Sequence, residues 1–112
     1  MANPTQITWT DATTNVDGSP IVAGEVTGFS VGIRSSTAAL SVAGTYPYTI
    51  SAPGSAVSAM LSGLTTALPA DTYVAAVQSV GPIDSAWSTE SAPFTIAAAA
   101  PVPNAPTAVA VS

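Results

Sequence analysis

The groups with which this chain could do chemistry are few: six carboxylates, one guanidinium, three phenols and many hydroxyls, with no Cys and no His. General acid–base catalysis near neutral pH needs a group poised there, usually His or a carboxyl pair held in unequal environments. Asp11, Asp17, Glu25, Asp71, Asp84 and Glu90 fall mainly in turn-like segments, and no close pair flanks an aromatic cleft. The serines have no base to activate them. Asn15-Val16-Asp17-Gly18 begins like an oxygen-rich calcium loop but lacks the spaced third acid and the bidentate Glu. Asn and Asp-Gly in that order are ordinary turn chemistry. The sequence therefore predicts no enzyme, no cofactor and no metal.

Two remaining groups bear on binding. Arg34, the only cation, is predicted on the outer face of a strand, either paired weakly with a nearby acid or serving as an interface anchor. Trp87 and the Tyr46-Pro47-Tyr48 pair lie near loops. Exposed, they would bind sugars or proteins; buried, they fill the core or cover its edge.

The elements that must position these groups follow from composition and periodicity. The 112 residues make one domain, long enough to bury roughly two thirds of its unfolded surface. Hydrophobic residues reach 47%, much of it Ala and Val, which predicts a core of small residues around a few aromatics. Charged residues are only 6%, so Ser and Thr must form the surface. A net charge of −5 excludes nucleic acid and anionic membrane surfaces as natural partners. Met1 is followed by neither a basic nor an apolar leader region, and no apolar run approaches membrane-spanning length.

Period-two alternation recurs along the chain, and no stretch holds a helical period over three turns. Ile7 and Trp9 share one face of Gln6–Thr10. Phe29, Val31 and Ile33 share one face of Val26–Arg34, and Tyr73, Ala75 and Val77 one face of Thr72–Val80. Shorter strands are predicted over Tyr46–Ser51, around Val57–Leu61, and over Ala92–Ile96 with Phe94 inward. Asp11–Pro20, Pro53-Gly54 and Gly81-Pro82 are turn signals. Six or seven short strands so spaced predict an all-β fold, an antiparallel two-sheet β-sandwich.

Trp9, then Asp17-Gly18-Ser19-Pro20-Ile21 and Gly28-Phe29-Ser30-Val31, resemble the second- and third-strand region of a fibronectin type III domain, an immunoglobulin-like sandwich. Leu64, then Leu68-Pro69-Ala70-Asp71-Thr72-Tyr73, resemble that family's corner before its sixth strand, and Trp87 to Pro93 its last loop and strand. The resemblance covers roughly residues 6–96. It implies core and corner roles for Trp9, Phe29, Leu64, Tyr73 and Phe94, with the Tyr73 hydroxyl bonding back to the corner's backbone. Phe29 stands where the family usually has Tyr. The family's first strand is missing from the front of the chain.

A segment like that first strand closes the chain instead. Residues 1–96 form the predicted body, 97–105 an Ala/Pro-rich extended linker, and 106–112 a C-terminal strand in which Val109 and Val111 alternate after Pro106. Such a tail frays, closes its own sandwich, or fills a neighbour's. Crossing the body takes roughly 25–35 Å, and nine linker residues reach about 30 Å, so self-closure requires a taut linker. Donation to a second copy is easier, works by β-strand addition, and closes as a ring or grows as a fibre. The expectation is a self-assembling, homo-oligomeric structural protein of a virus particle, either a bacteriophage capsid decoration or a fibre subunit, whose partner is itself or a capsid or tail protein. The alternative is an extracellular spacer or a carbohydrate- or protein-binding module of a secreted bacterial enzyme or adhesin.

Overall fold

A computed structural model describes residues 3–38, 41–98, 103–108, 110 and 111. Six strands are formed: β1 (Gln6–Thr8), β2 (Gly28–Ser35), β3 (Tyr48–Pro53), β4 (Ser58–Met60), β5 (Asp71–Val80) and β6 (Phe94–Ile96), with one 3-10 turn, Leu61–Gly63. They make two antiparallel sheets, β1-β4 and β3-β2-β5-β6, facing each other as a sandwich.

The alternating residues make the core. On β2, Phe29, Val31 and Ile33 point inward, and Val31 and Ile33 lose all contact with solvent. Ile50 from β3, Tyr73 and Ala75 from β5 and Ala59 from β4 close over them. Fully burying a side chain of the size of Val or Ile stabilises by about 1.5–3 kcal/mol, so this alternation fixes which face of each strand turns in. The small residues let aromatic rings approach: Trp9 lies 5.3 Å from Phe29, Tyr73 5.9 Å from Phe94 and 6.2 Å from Tyr48. Leu64 packs against the same cluster, and the Tyr73 hydroxyl donates to the Pro69 carbonyl at 2.6 Å, closing the corner before β5.

The larger sheet has a well-covered outer face. Tyr46 lies over Gly32 so closely that a Cβ there would stand 2.4 Å from the ring. The Trp87 ring packs against Tyr46 at a tilt of 58°, with centroids 4.6 Å apart. The strand predicted from Tyr46 therefore begins only at Tyr48, because the Tyr46 ring is used to roof β2.

The last strand is likewise shorter than the predicted Ala92–Ile96. Ahead of it the chain follows β5 in steps of three residues. Ser85, Ser88 and Ser91 donate their amides to the carbonyls of Ser79, Val77 and Ala75, and each hydroxyl accepts the amide of that same partner. Three residues here span two of β5, so each step carries one extra residue, as in a β-bulge. The hydroxyl replaces the carbonyl that the bulge turns away.

One end of the body holds the start of β2, the end of β5 and the loops of residues 9–27 and 81–84. The other holds the end of β2, the start of β5 and the end of β6.

Candidate functional site: the open side of the sandwich

The two sheets are unequal, and the inequality leaves one side open. β4 lies against β3, so β1 sits over the middle of the larger sheet and its other edge looks toward β6. Along β1 the amide of Trp9 donates to Val57 and the carbonyl of Thr5 accepts from Leu61, each at 2.9 Å. Thr5, Ile7 and Trp9 thus turn their main-chain groups to β4. In an antiparallel ladder the alternate residues face the opposite way. Gln6 and Thr8 therefore present their amides and carbonyls to the open side, and no strand among the described residues pairs with them.

The open side is apolar below its rim. Ile7, Phe94 and Ile96 are half-buried and pack against the core cluster from this direction. At one end the opening is bridged: the amide of Ala97 donates to Asn3 Oδ1 at 2.9 Å, tying the approach to β1 to the exit from β6.

The described C-terminal residues do not fill this opening. Pro106 and Val111 are exposed, as are the other described residues of 103–111, and none belongs to a strand. Ala108 has φ 56°, a left-handed conformation that interrupts extension. Val109 lies outside the described residues.

The charged residues form structural clusters. Arg34 grips Glu90 through Nε and Nη2, both at 2.7 Å, and the Tyr46 hydroxyl donates to the same carboxylate at 2.9 Å. The guanidinium, helped by the Tyr46 hydroxyl, holds the Glu90 carboxyl below its usual range. Burial, then the hydrogen bond to Glu90, pushes the Tyr46 phenol up. Sequence reading placed Arg34 on the outer face correctly but expected an exposed contact. The two side chains keep only 15% and 22% of their accessibility. Trp87 is part of this roof, packed against the Tyr46 ring.

Asp71 accepts from Ser35 and Thr37 hydroxyls and from the Thr72 amide, which lower its pKa. Asp17 accepts from the Ser19 hydroxyl and amide, which lower its pKa in turn. Asn15 reaches Ser19, Pro20 and Glu25, so the calcium-like stretch is a hydrogen-bonded turn. Among the described residues no group of three potential ligands could hold a metal.

Sequence reading missed which main-chain groups of β1 the open edge exposes, the Glu90 cluster and the serine steps. Only the last carried a signal, the spacing of three between Ser85, Ser88 and Ser91. No protein-family model, curated protein or solved structure matches the chain.

Proposed function

We propose that this chain is a non-enzymatic structural protein that assembles by strand addition, its C-terminal segment completing the small sheet beside β1. One observation carries the reading: β1 presents a bare ladder edge above half-buried Ile7, Phe94 and Ile96, while residues 103–108, 110 and 111 of the same chain are exposed and lie in a segment whose sequence alternates like a strand. Uncovered sheet edges are a liability that proteins normally blunt or cover. Here the covering material belongs to the chain.

The strand order supports the fibronectin type III-like reading. β1 and β4 stand as that family's second and fifth strands, and β3-β2-β5-β6 as its opposite sheet. The vacancy beside β1 is then the place of the missing first strand. A decoration or fibre subunit of a virus particle is the setting we propose, since the assembly needs no cation-rich surface and presents a Ser/Thr-rich exterior. The spacer or sugar-binding alternative draws less support, because Trp87 is partly buried and packed against Tyr46.

Sedimentation velocity or mass photometry of the full chain tests the reading. An oligomer that becomes monomeric on truncation after Ala100 is expected. A full chain that stays monomeric at tens of micromolar would overturn it.

A further inference from the structure

Resting on that reading, we infer that the occupant of the open edge is residues 108–111 of a second copy, running antiparallel to β1 with Ala110 opposite Thr8. This identifies the partner, the direction and the register, none of which strand addition alone specifies.

Pairing parity sets which tail residues turn inward, and the place of Pro106 then selects the register. Gln6 and Thr8 face the open side with their main-chain groups and point their side chains to solvent. A residue placed opposite Thr8 exchanges both hydrogen bonds with it and shares its outward face. With Ala110 there, Val111 turns inward beside Ile7. By alternation Val109, outside the described residues, turns toward Trp9. Pro106 then falls opposite Ala12, past the end of β1, where its missing amide costs no ladder bond. Shifting the register by one residue would put Val111 in solvent and Ala110 over the apolar floor.

The direction follows from the bridged end. A strand running parallel to β1 must come in where Ala97 is tied to Asn3. An antiparallel strand comes in at the far end, beside Thr10, which is unobstructed. All the pairings within the sandwich are antiparallel as well.

The partner follows from where the tail leaves. Ala97 lies at the bridged end, so the chain's own tail would first travel the length of β1 outside the opening. It would then have to reverse within Pro106-Thr107 to place Ala108 opposite Thr10. A second copy stacked beyond the far end presents its tail in the right direction with no reversal. That end carries exposed Val16 and Ile83 along a groove of about 550 Å³ that also contains Asp17, Glu25 and Asp84. Residues 97–112 carry no charge, so an incoming linker covers the apolar side chains without like-charge repulsion from a body of net charge −5.

Because the chain has no Cys, paired cysteines read this arrangement without background. Facing residues of an antiparallel pair stand about 5.5 Å apart at Cα, within disulfide range. Three double variants at exposed positions are oxidised mildly and run without reductant: Thr8→Cys with Ala110→Cys, Thr10→Cys with Ala108→Cys, and Gln6→Cys with Ala108→Cys. The first reports addition at β1 in either direction, the second antiparallel addition, the third parallel addition. The inference expects ladders at multiples of the chain mass from the first two and none from the third. A cross-linked monomer from the second pair would overturn the partner, leaving self-closure. A closed dimer from the third would overturn the direction. No cross-link from any pair in a chain that sediments as an oligomer would overturn the edge itself. A chain that sediments as a monomer without cross-links would instead sink the proposed function.

Discussion

The amide of Ala97 donates to Asn3 Oδ1 at 2.9 Å, so the chain joins and leaves its sandwich at the same end. Two segments 94 residues apart in sequence are thereby fixed beside each other, and the tail starts its course away from the edge it resembles a partner for. Under the proposed strand addition, that relationship would make assembly directional: one end of the body would supply a strand and the other admit it. Such an interface would be heterologous, so copies would add to a ring or a fibre and not to a symmetric pair.

Under the proposed strand addition, the conformation of Ala108 would set how readily the tail becomes a strand. At φ 56° it occupies a region that costs an L-residue about 1–2 kcal/mol and that β-branched side chains strongly avoid. Ala108→Val biases the free tail toward extension and should raise the oligomeric fraction at a fixed concentration. Ala108→Gly tolerates the left-handed form and should lower it. Mass photometry across a dilution series checks the order Val, Ala, Gly, and the reverse order would contradict it.

Tyr73→Phe removes the 2.6 Å bond to the Pro69 carbonyl and leaves the ring in place. A single intramolecular hydrogen bond contributes about 0.5–1.5 kcal/mol net, so the variant should lose about 1 kcal/mol in urea denaturation. The slope of the transition should not change.

Glu90→Gln tests the roof over β2. The folded-state pKa of Glu90 is lowered, first by the Arg34 hydrogen bond. A lowered carboxyl adds stability that is fully present above its unfolded value, about 4.3, and is lost as pH falls through the folded value. At pH 7 the variant should therefore melt below the parent chain, and the difference should shrink as pH falls below about 4. A difference independent of pH between 7 and 3 would contradict an ionic role.

Ser88→Ala deletes the acceptor of the Val77 amide while Ser88 N–H still donates to the Val77 carbonyl. Amide exchange at Val77 should accelerate markedly, with Ala75 and Ser79, held by their own serines, little changed. Exchange spreading equally over β5 would mean that the three steps hold as one unit.

Much of the fold was legible because it rests on side chains that alternate in sequence. Phe29, Val31 and Ile33, and Tyr73, Ala75 and Val77, declare an inward face through burial alone, whatever their neighbours do. What lay hidden depends on pairings between distant positions. Arg34 and Glu90 are 56 residues apart, and nothing near either one names the other. The sequence pointed to a vacancy beside the second strand, but which main-chain groups of β1 face outward was hidden for a related reason: it is decided by the parity of the Trp9–Val57 pairing, and a sequence does not carry parity. The strand ends at Tyr46 and Ala92 were overrun because alternation continues there while the backbone has already left the ladder.

The serine steps impose a counting rule on the segment before β6. Each hydroxyl reaches its amide only because three residues bring the next serine back to the same aspect of β5. Inserting or deleting one residue between Ser85 and Ser91 would bring Trp87, Thr89 or Glu90 to an anchoring position and carry Glu90 away from Arg34. Lengths in this stretch can therefore vary freely only by whole triplets, so the segment behaves less like a loop than like a ruler laid along the strand.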